Sequence, residues 1–298
     1  MSPRLRARAA LLFATVVWGA TFVVVQNALD DLPVFHLLAY RFALGALLLA
    51  PLFVQRRPAD LRPLLRDGVL IGLVLFAGYA FQTAGLLWTT PSRSAFLTGL
   101  SVLLVPALGW AIGTARPRPL AVAGVLAAAA GLWVLTRPAG PGAGGFNTGD
   151  ALTVGCAVSF AGHILLVERA MGHHRVAPLA VVQFAVVAAV SAPSLLLDPP
   201  TRAQLTANAV SAVLITGVLA TAAAFACQLY AQRRLGAVET SVLLTMEPVV
   251  AVLVSIAIGR ESLTLGLAAG GALILAGMLL ADVGAPASDA PGAAAPRA

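Results

Sequence analysis

Two ionisable side chains stand in otherwise apolar stretches of the chain: Glu247, directly before Pro248, and Arg41. Inside a hydrocarbon layer such a group costs at least about 2.5–3.5 kcal/mol at a helix centre, so each requires a reason. Glu247 reads in two ways. It serves as a protonatable group on a substrate or proton path, or as a neutral carboxyl that hydrogen-bonds backbone groups loosened by Pro248. Arg41 reads as an intramembrane charge tied to coupling, or as a packing residue that bonds helix-end carbonyls or a carboxylate. A direct Arg41–Glu247 pair would answer both questions, and a separation of more than about 6 Å would reject it.

Polar residues also recur at helical spacing among apolar neighbours, as a water-facing wall requires. Ser94, Thr98 and Ser101 form one such stripe, and Thr221, Phe225, Gln228 and Gln232 another. Tyr79 and Gln82 stand three apart, Ser159 and His163 four apart, and Trp18 falls in mid-run rather than at an interface. Taken singly, each side chain serves a helix–helix hydrogen bond or packing as well as a ligand. Together they outline a mostly apolar cavity with a few polar groups, the general form of a small-molecule site. The candidate substrate-binding residues are Trp18, Tyr79, Gln82, Thr98, His163 and Gln228, with Arg41 and Glu247 as coupling or intramembrane charges. No Ser-His-Asp set, Walker loop, HExxH or CxxC is present, so no catalytic residue, metal or cofactor is expected.

The elements that must hold these residues follow from composition. The 298 residues are 59% hydrophobic and 10% charged, with mean hydropathy +0.92, whereas a soluble domain is about a quarter charged. At about twenty apolar residues per crossing, this length accommodates roughly nine to eleven membrane helices. Turn signals and charges predict helices near 9–28, 33–54, 68–88, 93–113 and 118–136, then 149–169, 176–197, 208–232, 237–258 and 263–282. The expected fold is an all-α membrane protein of ten transmembrane helices. The run from Ala9 to Ala28 is too long for a cleaved signal segment and is kept as the first span.

Pro138 to Asn147 carries five further glycines or prolines and reads as a linker. The division is 1–137, a linker at 138–148, 149–283, and an Ala- and Pro-rich tail at 284–298 expected to be disordered. Cys156 and Cys227 have no metal-ligand spacing and read as small packing residues. Trp88, Trp110 and Trp133 lie near span ends as interfacial anchors, and His173 and His174 read as solvated loop residues.

The formal charge is +7 and all 19 basic residues are arginine, mostly in short gaps between apolar stretches. That placement reads as topology, not as a nucleic-acid footprint, and no nucleic-acid partner is expected. One side of a ten-span layout collects fourteen arginines: 4, 6, 8, 56, 57, 62, 66, 116, 118, 169, 175, 233, 234 and 297. The other has only Arg93, Arg137, Arg202 and Arg260, which puts both termini in the cytoplasm.

Five spans per half is an odd number, so related halves must be inverted relative to one another. An offset of 142 residues pairs Pro106 with Pro248, Trp88 with Tyr230, Ala95 with Ala237 and Thr98 with Thr240. An offset of 146 then pairs Gly124 with Gly270 and Gly131 with Gly277, glycines seven apart on one helix face. Gly266 and Gly270 form a GxxxG that suits either a homodimer or, more naturally, packing within the chain.

Several short runs carry a family likeness. They are Met246 to Ala251, Gly259 to Leu263 and Gly270 to Gly277, together with Trp18-Gly19, Arg41-Phe42 and Ala95-Phe96-Leu97 through Pro106. In this order, over residues 9 to 282, the chain resembles the EamA-type family of the drug/metabolite transporter superfamily. The resemblance implies a 5+5 inverted-repeat transporter, commonly an exporter of amino acids, metabolites or drugs, with a central cavity. Trp18, Arg41, Glu247 and Glu261 match positions that the family often fills this way.

The expected function is a secondary transporter in a bacterial-type inner membrane, working by alternating access on a small metabolite, amino-acid-like compound or drug. Without an ATP site, an ion or solute gradient must supply the energy. The alternatives are a membrane-embedded lipid-modifying enzyme, which needs polar groups converging at headgroup level, and a sensory or structural subunit. A solvent-reachable cavity between the halves distinguishes the first reading from the others.

Overall fold

Apolar runs long enough to be helical are cut by short polar residues and prolines, and the elements follow those cuts. In the computed structural model, residues 2–56, 58–111, 119–136, 145–201 and 204–283 are described, and among them there is no strand. The helices are α1 (Pro3–Ala28), α2 (Val34–Arg56), α3 (Arg62–Gly85), α4 (Pro91–Gly99), α5 (Ser101–Ala111) and α6 (Pro119–Thr136). They continue as α7 (Thr148–Met171), α8 (Val176–Ser191), α9 (Pro193–Leu197), α10 (Ala207–Leu214), a π-helical stretch (Ile215–Ala223), α11 (Ala224–Leu243), α12 (Met246–Ala257) and α13 (Leu265–Val283).

Side-chain oxygens satisfy the free N–H groups of several first turns. Ser2 Oγ accepts from Leu5 N at 3.2 Å, Thr90 Oγ1 from Arg93 N at 3.3 Å, and Thr206 Oγ1 from Ala209 N at 3.0 Å. At α7, Asn147 and Asp150 cap each other's backbone in a reciprocal box.

Among the described residues, six helices are long and apolar enough to cross a membrane: Pro3–Ala28, Val34–Arg56, Arg62–Gly85, Thr148–Met171, Val176–Leu197 and Ala207–Leu235. Four more apolar helices are shorter: Pro91–Val105, Val122–Leu135, Met246–Ala257 and Leu265–Leu280. The polarity of the interior suits a membrane protein. Thr15, Asp150, Gln183, Thr216 and Thr221 are fully buried, whereas Leu47, Leu126, Trp133 and Leu253 stand exposed.

Two expected spans are broken. The single helix expected near 93–113 is interrupted at Leu100, between α4 and α5. The helix expected near 237–258 does not exist as such: residues 237–243 complete α11, and α12 begins only at Met246. Pro248 explains the second break, because its ring occupies the space of the carbonyl four residues earlier, at Leu244. Glu247 therefore sits in the first turn of α12 rather than at a span midpoint.

Packing joins the two ends of the sequence throughout. Helix α1 lies against α11 and α12, α7 against α3, α4 and α5, α2 against α8, and α6 against α13. Glycines permit the closest approaches: a Cβ at Gly131 would come within 2.8 Å of the Gly270 carbonyl oxygen, and one at Gly277 within 2.5 Å of that of Gly124. A Cβ at Gly270 would reach Leu135 N at 2.7 Å, so this glycine of the GxxxG packs within the chain.

Trp88 and Trp133 are exposed, as anchors at a lipid–water boundary must be. His173 is exposed, but His174 is not solvated as expected: it is 9% exposed and its Nε2 lies 2.9 Å from Asp67 Oδ2. Both cysteines are free, and Cys156 is buried. Most of the expected linker (138–144), the tail (284–298), Arg57, Arg116, Arg118, Arg137, Arg202 and the side chains of Pro106 and Trp110 lie outside the described residues.

Candidate functional site

One cavity gathers all eight side chains singled out in the sequence: Trp18, Arg41, Tyr79, Gln82, Thr98, His163, Gln228 and Glu247. It holds about 740 Å³ of space between atoms, its open mouth included. Its wall takes residues from α1, α2, α3, α4, α5, α7, α11 and α12, so both halves of the sequence contribute.

Each polar residue has a distinct situation. Trp18 Nε1 donates to the Ala220 carbonyl at 2.7 Å, within the π-helical stretch. Gln82 Nε2 donates to Thr98 Oγ1 at 3.1 Å, tying α3 to α4. His163 Nε2 lies 2.8 Å from Gln183 Oε1, a bond between α7 and α8. Gln228 Oε1 is buried with no hydrogen-bond partner. An orphaned acceptor in a cavity wall is costly unless water or a ligand completes it.

Aromatic rings, those of Trp18, Phe22, Tyr79, Phe160 and Phe225, share the apolar part of the wall with aliphatic side chains such as Leu75 and Ile164. Phe225 packs edge-on to Trp18 at 5.0 Å, Tyr79 to Phe42 at 4.9 Å and to Phe160 at 5.2 Å. These are the separations at which edge-to-face ring pairs attract.

Arg41 and Glu247 both line this cavity, but among the described residues no ion pair within 4.0 Å joins them. The direct ion pair that charge alone suggests is thus not formed. Arg41 instead donates through Nε to Thr221 Oγ1 at 3.1 Å, and its guanidinium carbon lies 4.6 Å from the Tyr79 ring centre and 5.1 Å from that of Phe42. Among the described residues, none donates a hydrogen bond to the Glu247 carboxyl. A basic and an acidic side chain thus share one chamber without pairing.

Two polar networks flank the cavity without lining it. Arg93 Nη2 pairs with Asp150, which also accepts from Thr89 Oγ1 at 2.7 Å. Glu261 Oε2 accepts from Ser92 Oγ and Ser255 Oγ, both at 2.5 Å, locking the end of α12 to the start of α4. A cavity walled by both halves and holding an unpaired basic and acidic side chain is transporter-like geometry. The EamA-like transporter family model matches twice, over residues 6–137 and 147–281.

The chain belongs to the EamA-like transporter family.

An uncharacterized transporter of Archaeoglobus fulgidus is 32% identical over 261 residues, covering 88% of this chain and 80% of the relative. A second uncharacterized transporter of that organism is 31% identical over 116 residues, covering 37% of this chain and 39% of its own. A solved crystal structure shares the fold at TM-score 0.69 and 23% identity, covering 92% of this chain and 95% of the other. This EamA-family chain is a membrane protein of transporter lineage.

The sequence pattern missed Phe160 and Thr21 on the cavity wall, and Thr221 as the partner of Arg41. Thr221 stood in a polar stripe, but its bond crosses from the π-helical stretch to α2, and no spacing along one helix announces it. Ser94 and Ser159 shared stripes with cavity residues yet lie off the wall; Ser159 Oγ bonds the Gly155 carbonyl of its own helix.

Proposed function

We propose that this EamA-family chain is a secondary transporter that moves a small metabolite, amino-acid-like compound or drug by alternating access. The observation that carries the reading is the cavity walled by both halves, with Arg41 and Glu247 facing it unpaired. An amino-acid-like molecule brings one group for each charge, and the aromatic wall suits an apolar body. Export is carried over from the family likeness.

The architecture proposed is ten spans, counting the six long helices and the four shorter ones, as two inverted five-helix repeats. The repeats are 1–137 and 149–283, with 138–148 as linker and both termini in the cytoplasm of a cell with the protein in its inner membrane. Pairing supports inversion. If α1 corresponds to α7 and α11 to α3, a two-fold axis exchanges the α1–α11 contact with the α7–α3 contact and maps the α2–α8 and α6–α13 contacts onto themselves.

The glycines follow the same rule: Gly124 corresponds to Gly270 and Gly131 to Gly277, and the contacts run Gly124–Gly277 and Gly131–Gly270.

The test is a panel of amino acids, metabolites and drugs assayed for efflux or altered tolerance on overexpression. At least one small molecule should leave loaded cells faster with the wild-type chain than with an empty vector. No change across the panel, with the protein present in the membrane, would count against transport.

A further inference from the structure

Arg41 is 3% exposed, lines the cavity, and has no carboxylate of the described residues within 4.0 Å. A buried guanidinium without a counter-charge is an expensive arrangement, and such a group is retained where a partner arrives to complete it. What holds it is specific. Thr221 Oγ1 takes its Nε at 3.1 Å, and the rings of Tyr79 and Phe42 lie 4.6 and 5.1 Å from its central carbon.

A guanidinium has three nitrogens in one plane, and its two terminal ones form a fork that matches the two oxygens of a carboxylate. With Nε occupied by Thr221, the terminal nitrogens remain as donors. Rings near the guanidinium favour the cation and steady its plane, and the Tyr79 hydroxyl accepts from it, which leaves the other terminal N–H groups without a hydrogen-bond partner among the described residues.

Resting on the transporter reading, we propose that Arg41 is the receptor for a carboxylate group of the transported molecule, and that Thr221 is the positioning residue that aims it. Thr221 belongs to the π-helical stretch whose Ala220 carbonyl also takes the Trp18 indole N–H at 2.7 Å. π-Helical turns lie frequently at functional sites, and this one fixes two cavity side chains from adjacent residues. The ligand class is an organic carboxylate with an aromatic or apolar body.

The experiment uses the full chain in detergent and four probes on related phenyl skeletons: 3-phenylpropanoate, L-phenylalanine, phenethylamine and 3-phenylpropanol. Binding is read as a concentration-dependent rise in Tm, which reports ligand held by the folded state alone. The two carboxylates should raise Tm, and the amine and alcohol should not. Arg41→Gln should erase the carboxylate response. Arg41→Lys, which keeps the charge and loses the fork, covers the case in which the Gln variant does not fold, and should bind the carboxylates about tenfold or more weakly.

Thr221→Val should weaken carboxylate binding by about tenfold, and Thr221→Ser, which restores the hydroxyl, should recover it. A rescue of that kind separates aiming from mere packing. A response to the amine or alcohol equal to that of the carboxylates, a carboxylate preference that survives both Arg41 variants, or no response to any probe would overturn the receptor role. Unchanged affinity in Thr221→Val would overturn the positioning role. If the carboxylates bind as described but reconstituted vesicles do not move them, the transport reading fails and the receptor stands.

Discussion

Gly131 and Gly270 meet backbone to backbone: a Cβ on either would come within 2.8 or 2.9 Å of the other's carbonyl oxygen. Neither neighbour is a flexible side chain that could swing aside. The contact joins α6 to α13, helices whose own sequences are almost wholly apolar and carry no other strong register signal. In lipid, where apolar surface gives helices no reason to associate, such close backbone approach is a principal source of specificity.

Gly270→Ala should therefore destabilise the protein by about 1–3 kcal/mol, since the added methyl meets backbone at 2.7 Å that cannot yield locally. Gly266→Ala, one turn earlier, finds its nearest atom at 3.8 Å and should change stability by less than about 0.5 kcal/mol. Thermal unfolding of the two variants in one detergent measures the difference. Equal effects would contradict the packing.

The ion pairs should differ sharply in weight. Asp150 is fully buried; it pairs with Arg93, accepts from Thr89, and takes the Asn147 N–H at 3.1 Å. Asp150→Ala should cost about 3–5 kcal/mol, because it strands a mostly buried guanidinium and removes a helix cap. Glu239 accepts from Arg4 and Arg8, whose side chains are 67% and 49% exposed. Glu239→Gln should cost about 0–1 kcal/mol, and raised salt should reduce even that. Unfolding midpoints of both variants at low and high salt check the contrast.

How far the sequence discloses this arrangement depends on the kind of residue. A glutamate, an arginine and a few glutamines are conspicuous in apolar runs because hydrocarbon penalises them, and those side chains do meet in one cavity. Relations across helices are not conspicuous. The Arg41–Thr221 bond, the break before Met246 and the π-helical stretch depend on which helices touch and how a proline is accommodated. Charge alone suggested an Arg41–Glu247 pair, and local geometry gave Arg41 a hydroxyl and two rings instead.

A pH effect should be visible in the loop between α1 and α2. The Asp31 carboxyl is held below the usual carboxylate range by hydrogen bonds from Asn208 and then Thr206, at 2.8 and 2.7 Å, while burial works weakly the other way. Because its pKa is lowered in the folded state, its contribution is present above the ordinary value of about 3.9 and is lost as pH falls through the folded value. Acidification through that range should lower the unfolding temperature of the wild type more than that of Asp31→Asn. Identical acid profiles would remove Asp31 from the account.

We propose that solute crosses through the shared cavity and that Glu247 couples its movement to protons. An amide in place of the carboxyl keeps the shape and removes the group that binds and releases a proton. The decisive measurement is uptake into proteoliposomes of a compound found by the efflux panel, with and without a proton gradient, for wild type and Glu247→Gln. Wild type should accumulate the compound only when the gradient is present, and Glu247→Gln should lose that accumulation while still exchanging the compound at equilibrium. Gradient-driven accumulation by Glu247→Gln equal to that of the wild type would contradict the account.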